Sequence, residues 1–211
     1  MNDIAKQDEN VKKELLEYQG NILILANAGS GKTTFLAEKL ERDSKKLDNY
    51  QKLAAITFTR NATEEIKQKL IDIPENVVIS TIDSFLDKEI ILPFLDQRYE
   101  LATPLQFSFQ QEYKFNNFDI GLSQIMQNGI FATYDNKTAQ LGKNFKCEVA
   151  LDILIHTKSA SEYLKYKFNS LYIDEFQDCD QSMNDLFMYL KAELGIRLFI
   201  VGDDKQSIYQ W

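Results

Sequence analysis

The stretch Ala26-Asn27-Ala28-Gly29-Ser30-Gly31-Lys32-Thr33-Thr34 constrains this chain more than any other. An apolar run, Ile22-Leu23-Ile24-Leu25, leads into it, and Phe35, Leu36 and Leu40 follow at helical spacing. The pattern predicts a strand, a glycine-bearing loop and a helix, the context of a phosphate-binding loop. Glycines let successive backbone N–H groups turn inward around a polyphosphate with no Cβ in the way, and the following helix adds the positive end of its dipole. Ala28, Gly29, Ser30, Gly31, Lys32, Thr33 and Thr34 are the expected cradle. Lys32 can reach β- and γ-phosphates, and the Thr33 hydroxyl can enter a Mg²⁺ shell. Ala26 stands where the general G-x-x-x-x-G-K-[ST] pattern has its first glycine. An ordinary strand-to-helix turn containing Gly-Lys-Thr is the competing reading, and the flanking apolar pattern weighs against it.

The rest of the chain alternates in a way that suits such a loop. Residues 2–19 read as one or two short helices, 32–42 as a helix, 53–58 as a strand and 63–70 as a second helix. Pro74 interrupts, Val77 to Thr81 reads as a third strand, and an apolar helical segment runs from Ser84 to Leu95. Between about 97 and 168 the alternation breaks down into a Phe-, Tyr-, Asn- and Gln-rich region with a helix expected over 145–156. It resumes with a strand at 171–173, a helix at 181–193 and a strand at 197–201. Apolar strands separated by helices favour a parallel sheet covered on both faces, with its ligand at the carboxyl ends of the strands. The expected organisation is one α/β domain over 1–96 and 169–211, interrupted by an inserted helical subdomain over 97–168.

Composition narrows the class of protein. The chain has 211 residues, enough for a sizeable core, and 44% of them are hydrophobic. No apolar run approaches the length of a bilayer span and the polar N-terminus lacks a signal-peptide core, so no membrane association and a cytoplasmic location are expected. Cys147 and Cys179 lie far apart without metal-ligand spacing and read as free thiols; His156, the single histidine, reads as structural. A net charge of −8 argues against duplex binding through a broad basic face. It leaves room for single-stranded nucleic acid held by stacking and a few local cations. Acidic residues crowd the last third, at Asp174, Glu175, Asp178, Asp180, Asp203 and Asp204, and their convergence would call for a cation.

Asp174-Glu175 and Gly202-Asp203 each follow an apolar strand directly, on the edge expected to hold the ligand. There Asp174 can hold Mg²⁺, directly or through water, and Glu175 can orient and deprotonate an attacking water. A solvated helix start is the bland reading of a lone Asp-Glu pair. Its pairing with the phosphate loop favours the chemical one.

Five motifs in order carry a family resemblance: the phosphate loop, Ile56-Thr57-Phe58-Thr59-Arg60-Asn61-Ala62, Ser80-Thr81-Ile82-Asp83-Ser84-Phe85, Ile173-Asp174-Glu175-Phe176-Gln177-Asp178, and Val201 to Trp211. Together they resemble UvrD/Rep-type superfamily one DNA helicases over nearly the whole chain. The resemblance implies a RecA-like P-loop NTPase fold, with ATP and Mg²⁺ as ligands and single-stranded DNA or DNA ends as partner. It implies that Gln7 reads adenine, that Gln206 senses the γ-phosphate and couples it to DNA, and that Phe58, Arg60, Tyr209 and Trp211 lie on the single-strand path. A core strand position is the equal alternative for Phe58. Asp83 departs from the histidine that many relatives carry, and Arg60-Asn61 from the usual Asn-Lys order.

Further stretches, Glu89-Ile90-Ile91-Leu92-Pro93-Phe94, Lys143-Asn144-Phe145-Lys146, Ala150 to Leu154 and Leu186 to Leu190, resemble the helicase-like subunit of Gabija anti-phage defence systems. That likeness implies an OLD-type nuclease subunit as partner. Relatives continue into a second RecA-like domain that supplies cations to the γ-phosphate, so weak turnover is expected of this piece alone. Two readings follow: the ATP-hydrolysing front half of a DNA translocase, or a nucleotide- or DNA-end-sensing module docked on a nuclease.

Overall fold

The computed structural model describes residues 2–27, 29–48, 50–101, 114–129, 133–135 and 143–203, with side chains from Glu9 onward. Contacts divide the chain into two units. The first takes in the described parts of 1–82, 165–178 and 195–211, and the second those of 83–164 and 179–194.

The first unit is built on five strands, β1 (Ile22–Leu25), β2 (Lys52–Thr57), β3 (Val77–Thr81), β6 (Phe168–Ile173) and β7 (Arg197–Gly202), in the order β1-β7-β6-β2-β3. Every pairing is parallel. Parallel strands need crossovers, and helices supply them here: α2 (Lys32–Ser44) between β1 and β2, and α3 (Arg60–Lys69) between β2 and β3. Helix α1 (Asn2–Glu17) precedes β1 as one continuous helix.

Helix α2 buries Leu36, Ala37 and Leu40, and α3 buries Ile66, against Leu53, Ala55, Tyr172, Phe199 and Val201 of the sheet. The intervening strand residues Ala54, Ile56, Leu171, Ile173 and Leu198 are buried too, so β2, β6 and β7 are covered on both faces as their apolar runs require. β1 departs from that rule. It lies at the edge, and Leu23 and Leu25 are 58% and 56% exposed.

Strand β2 ends one residue earlier than its apolar run suggests, and α3 starts three residues earlier. The cause is Thr59, whose hydroxyl accepts from Ala62 N–H at 3.1 Å and caps α3. Phe58 is thereby left half-buried one residue past β2, outside the core strand that was its alternative placement.

The second unit is helical. α4 (Ile82–Leu86), which begins at the last residue of the first unit, leads into a π-helical stretch (Asp87–Ile91) and then α5 (Leu92–Arg98), with α7 (Phe145–His156), α8 (Lys158–Lys167) and α9 (Gln181–Ala192) farther on. A two-stranded pair, β4 (Lys114–Phe115) with β5 (Thr133–Tyr134), flanks α6 (Phe118–Asn128). Within this unit Phe115, Tyr134 and Phe145 pack as an aromatic group, with ring centroids 4.4 to 5.8 Å apart. Asn144 caps α7 by accepting from Cys147 N–H at 3.2 Å, which accounts for the helix expected over 145–156. Cys147 and Cys179 are buried and unbridged, and His156 is bonded to Asp152 of its own helix.

One buried polar group ties α1 and the turn after it to the core. The Lys39 ammonium, 2% exposed, donates to the carbonyls of Leu16 and Tyr18 at 2.9 and 2.6 Å and to Asp43 at 3.0 Å. Asp43 also accepts from Gln19 and from the Tyr172 hydroxyl. Burial pulls the Lys39 pKa down and Asp43 opposes that pull, while burial pushes the Tyr172 phenol up. Removing one partner of a buried pair strands the other, so Lys39→Met is expected to destabilise the fold by about 3–5 kcal/mol. The exposed pair Lys45–Glu41 is the control, and Lys45→Met should cost about 1 kcal/mol or less. Urea unfolding followed by circular dichroism measures both; equal effects would contradict the structural role of Lys39.

Candidate nucleotide site

All five strands of the sheet point the same way, so their carboxyl ends form one edge. β1 and β7 are paired out to Leu25 and Gly202, and Ala26 N–H extends the pairing by donating to the Gly202 carbonyl at 3.1 Å. The loop that follows turns on Gly29 and Gly31, with φ of 76° and 81°. An added Cβ at either would meet no atom within 4 Å, so glycine is required there by backbone conformation rather than by space. No side chain caps α2 at Gly31. Its first N–H groups therefore face the loop as donors, the arrangement that binds anions. The Lys32 ammonium lies across the loop, donating to the carbonyls of Ala26 and Asn27 at 2.8 and 3.1 Å.

Two strands away, β6 delivers Asp174 to the same edge, where its N–H donates to the Ile56 carbonyl at 3.2 Å. Asp174 is 1% exposed. Its carboxylate accepts from Glu175 N–H at 3.0 Å, and the Thr33 hydroxyl lies near enough to favour its charged form. Burial raises its pKa above the usual carboxylate range; the Thr33 hydroxyl pulls it back, and the neighbouring Glu175 charge adds to the rise. Glu175 is half-buried with φ of 55°, the one non-glycine residue in the left-handed region among those described. Such a conformation costs on the order of 1–3 kcal/mol and concentrates at functional sites. The Glu175 carboxylate accepts from Gln177 Nε2, and Gln177 Oε1 in turn accepts from Asp203 N–H at 2.8 Å.

Lys32, Thr33, Thr34, Glu175 and Asp203 line a cavity of about 340 Å³ with Gly29 and Gly31. Two residues that the sequence did not single out join them from α3, Glu65 and Lys69. Lys69 Nζ lies 3.1 Å from the Thr34 hydroxyl and 3.4 Å from Glu65. Their only sequence signal is a charge pair at i, i+4, which solvated helix faces carry routinely. A second cavity, of about 360 Å³, opens on the other side of the loop. It is apolar: Val11, Leu15, Ile24 and Phe35 form its walls, and the Lys12 ammonium sits 5.7 Å from the Phe35 ring centroid.

The other anticipated residues divide. Phe58 and Arg60 reach the carboxyl edge, Arg60 exposed at the start of α3. Ala28, Asp204, Gln206, Tyr209 and Trp211 lie outside the described residues, as does the side chain of Gln7, whose backbone lies on α1. The carboxylates of the last third do not all converge. Asp180 instead caps α9, accepting from Met183 N–H at 2.9 Å, and belongs to the second unit. Among the described residues no helix is long and apolar enough to cross a membrane, and no group of three or more His, Cys, Asp or Glu forms a metal site. Mg²⁺ in a phosphate-loop site takes only one or two protein oxygens beside phosphate and water, and the neighbouring Thr33 hydroxyl and Asp174 carboxylate fit that need.

The parallel sheet, the glycine loop and the acidic pair at one edge define a RecA-like P-loop nucleotide-binding domain. Residues 7–211 match the family described as AAA domain, and the chain belongs to that family. It is 42% identical over 201 residues to Gabija protein GajB of Bacillus cereus, covering 95% of this chain and 40% of that protein. It is 27% identical to the ATP-dependent DNA helicase PcrA of Staphylococcus aureus, covering 98% of this chain and 34% of that protein. A probable DNA helicase II homolog of Mycoplasma genitalium is 26% identical, covering 97% of this chain and 36% of that protein. The chain thus spans about two fifths or less of the length of these relatives.

An L-residue at the φ of Gly31 is strained even with open space around it. Gly31→Ala should therefore lower stability by about 1–2 kcal/mol, read from the urea midpoint. An unchanged midpoint would show that the loop does not hold this conformation.

Proposed function

We propose that this domain binds Mg·ATP and hydrolyses it as the front part of a UvrD-like DNA helicase or translocase acting in anti-phage defence. The observation that carries the reading is the convergence of Thr33 and Asp174, which brings the phosphate loop and the acidic strand end together beside one polar cavity. The polyphosphate would lie in that cavity, against the loop N–H groups and the start of α2. Lys32 would exchange the Ala26 and Asn27 carbonyls for β- and γ-phosphate oxygens. The apolar cavity suits the nucleobase, and Gln7 stands one helical turn ahead of Val11 to read its edge.

Thr33 and Asp174 would hold Mg²⁺, which neutralises charge on the β- and γ-oxygens when bound. Glu175 orients a water in line with the γ-phosphorus and takes its proton as the new P–O bond forms. The bond to the β–γ bridging oxygen breaks, and ADP leaves with that oxygen. Lys32 stabilises the charge that develops, and Gln206 senses whether the γ-phosphate is present. Phe58, Arg60, Tyr209 and Trp211 would line the path of single-stranded DNA or a DNA end; stacking and local cations suit a chain of net charge −8. An OLD-type nuclease subunit would be its partner, in a cytoplasmic setting. The helical second unit would be the subdomain inserted in this motor.

Glu175→Gln in the full-length polypeptide is expected to keep ATP affinity and lose turnover by about 10²-fold or more, the usual weight of a general base. Steady-state ATPase with single-stranded DNA, beside fluorescent-nucleotide binding, measures both. Retained turnover would overturn the assignment of the base.

A further inference from the structure

We propose that Gln177 is a positioning residue, which holds the Glu175 carboxylate at the phosphate cavity and ties it to the end of β7. This rests on the reading of Glu175 as the base that activates water. Gln177 lies in the short 3-10 turn Phe176–Asp178 and is 6% exposed. Both ends of its side-chain amide are committed. Asp203 N–H can only donate, so the oxygen must face it; the ionised Glu175 carboxylate can only accept, so the nitrogen must face that. The two neighbours therefore fix the amide's orientation, because a flipped amide would lose both bonds.

The bond matters because of where Glu175 sits. Its backbone is held in the left-handed region by Asp174, which accepts from its N–H, and by Asp178 N–H, which donates to its carbonyl at 2.9 Å. Those bonds fix the main chain but leave the three side-chain torsions free. Gln177 provides the bond that fixes the carboxylate itself.

The other half of the amide reaches the strand end. An added Cβ at Gly202 would lie 3.3 Å from Gln177 Oε1 and 3.5 Å from its backbone N, so glycine there leaves just enough room for the amide to pass. Gly202 and Asp203 are the strand end that runs, three residues later in sequence, into Gln206. A shift of the backbone at Asp203 would thus reach the base through one side chain. A residue that only filled the turn would need neither polar end.

Gln177→Glu and Gln177→Leu, made in the full-length polypeptide, test this beside Glu175→Gln and the parent. Gln177→Glu keeps the shape and the acceptor for Asp203 but turns an oxygen toward Glu175; Gln177→Leu removes both bonds. The expected result is a fall in kcat of about tenfold or more for each, with KM and fluorescent-ATP affinity within about twofold of the parent. If Gln177→Leu is not recovered folded, Gln177→Glu carries the test alone. A kcat for Gln177→Glu close to the parent's, or a loss carried by KM, overturns the proposal provided that Glu175→Gln is inactive. Turnover retained by Glu175→Gln would instead sink the underlying assignment of the base.

Discussion

The meeting of the Thr33 hydroxyl with the buried carboxylate of Asp174, close enough to act on its charge, is the constraint around which the first unit is arranged. Each partner comes from a different crossover, Thr33 from the first turn of α2 after β1 and Asp174 from the end of β6, with β7 lying between those strands. Because every strand runs the same way, both fall on one edge together with the end of β7 between them. The order β1-β7-β6-β2-β3 therefore governs function as well as packing, for it sets Gly202 and Asp203 between the phosphate loop and the acidic pair.

That edge works against stability in several ways at once. Asp174 is a carboxyl held where burial disfavours its charge, Glu175 keeps a backbone conformation that side chains avoid, and no side chain caps α2. The opposite part of the unit offsets these costs. Leu36, Leu40, Leu53 and Ile66 are fully buried, and Lys39 closes a polar group in which every partner is bonded. Strain at the ligand edge and close packing beneath it are what a preorganised site requires.

Much of this was legible in the sequence for a physical reason. Strands buried on both faces read as continuous apolar runs, and a phosphate loop demands Gly-Lys-Thr between a strand and a helix, so the sheet, the loop and Asp174-Glu175 could be placed from residue types alone. The losses also have causes. α8 carries only Ala160 and Leu164 on its buried face, too few to stand out from a polar segment. The exposure of Leu23 and Leu25 depends on β1 being an edge strand, which strand order decides and local pattern does not. Glu65, Lys69 and Gln177 join the site through their distance in space, and Asp180 leaves it because a helix start claimed its carboxylate.

The most direct test of the central claim is a calorimetric titration of the protein with ATP, in Mg²⁺ and then in EDTA, beside Asp174→Asn. Affinity should fall by about tenfold or more on removing Mg²⁺, a change of about 1.4 kcal/mol, and Asp174→Asn should lose that dependence. ATP binding that is indifferent to Mg²⁺ in the parent would contradict a shared metal role for Thr33 and Asp174, and with it the account of this edge as a phosphoryl-transfer site.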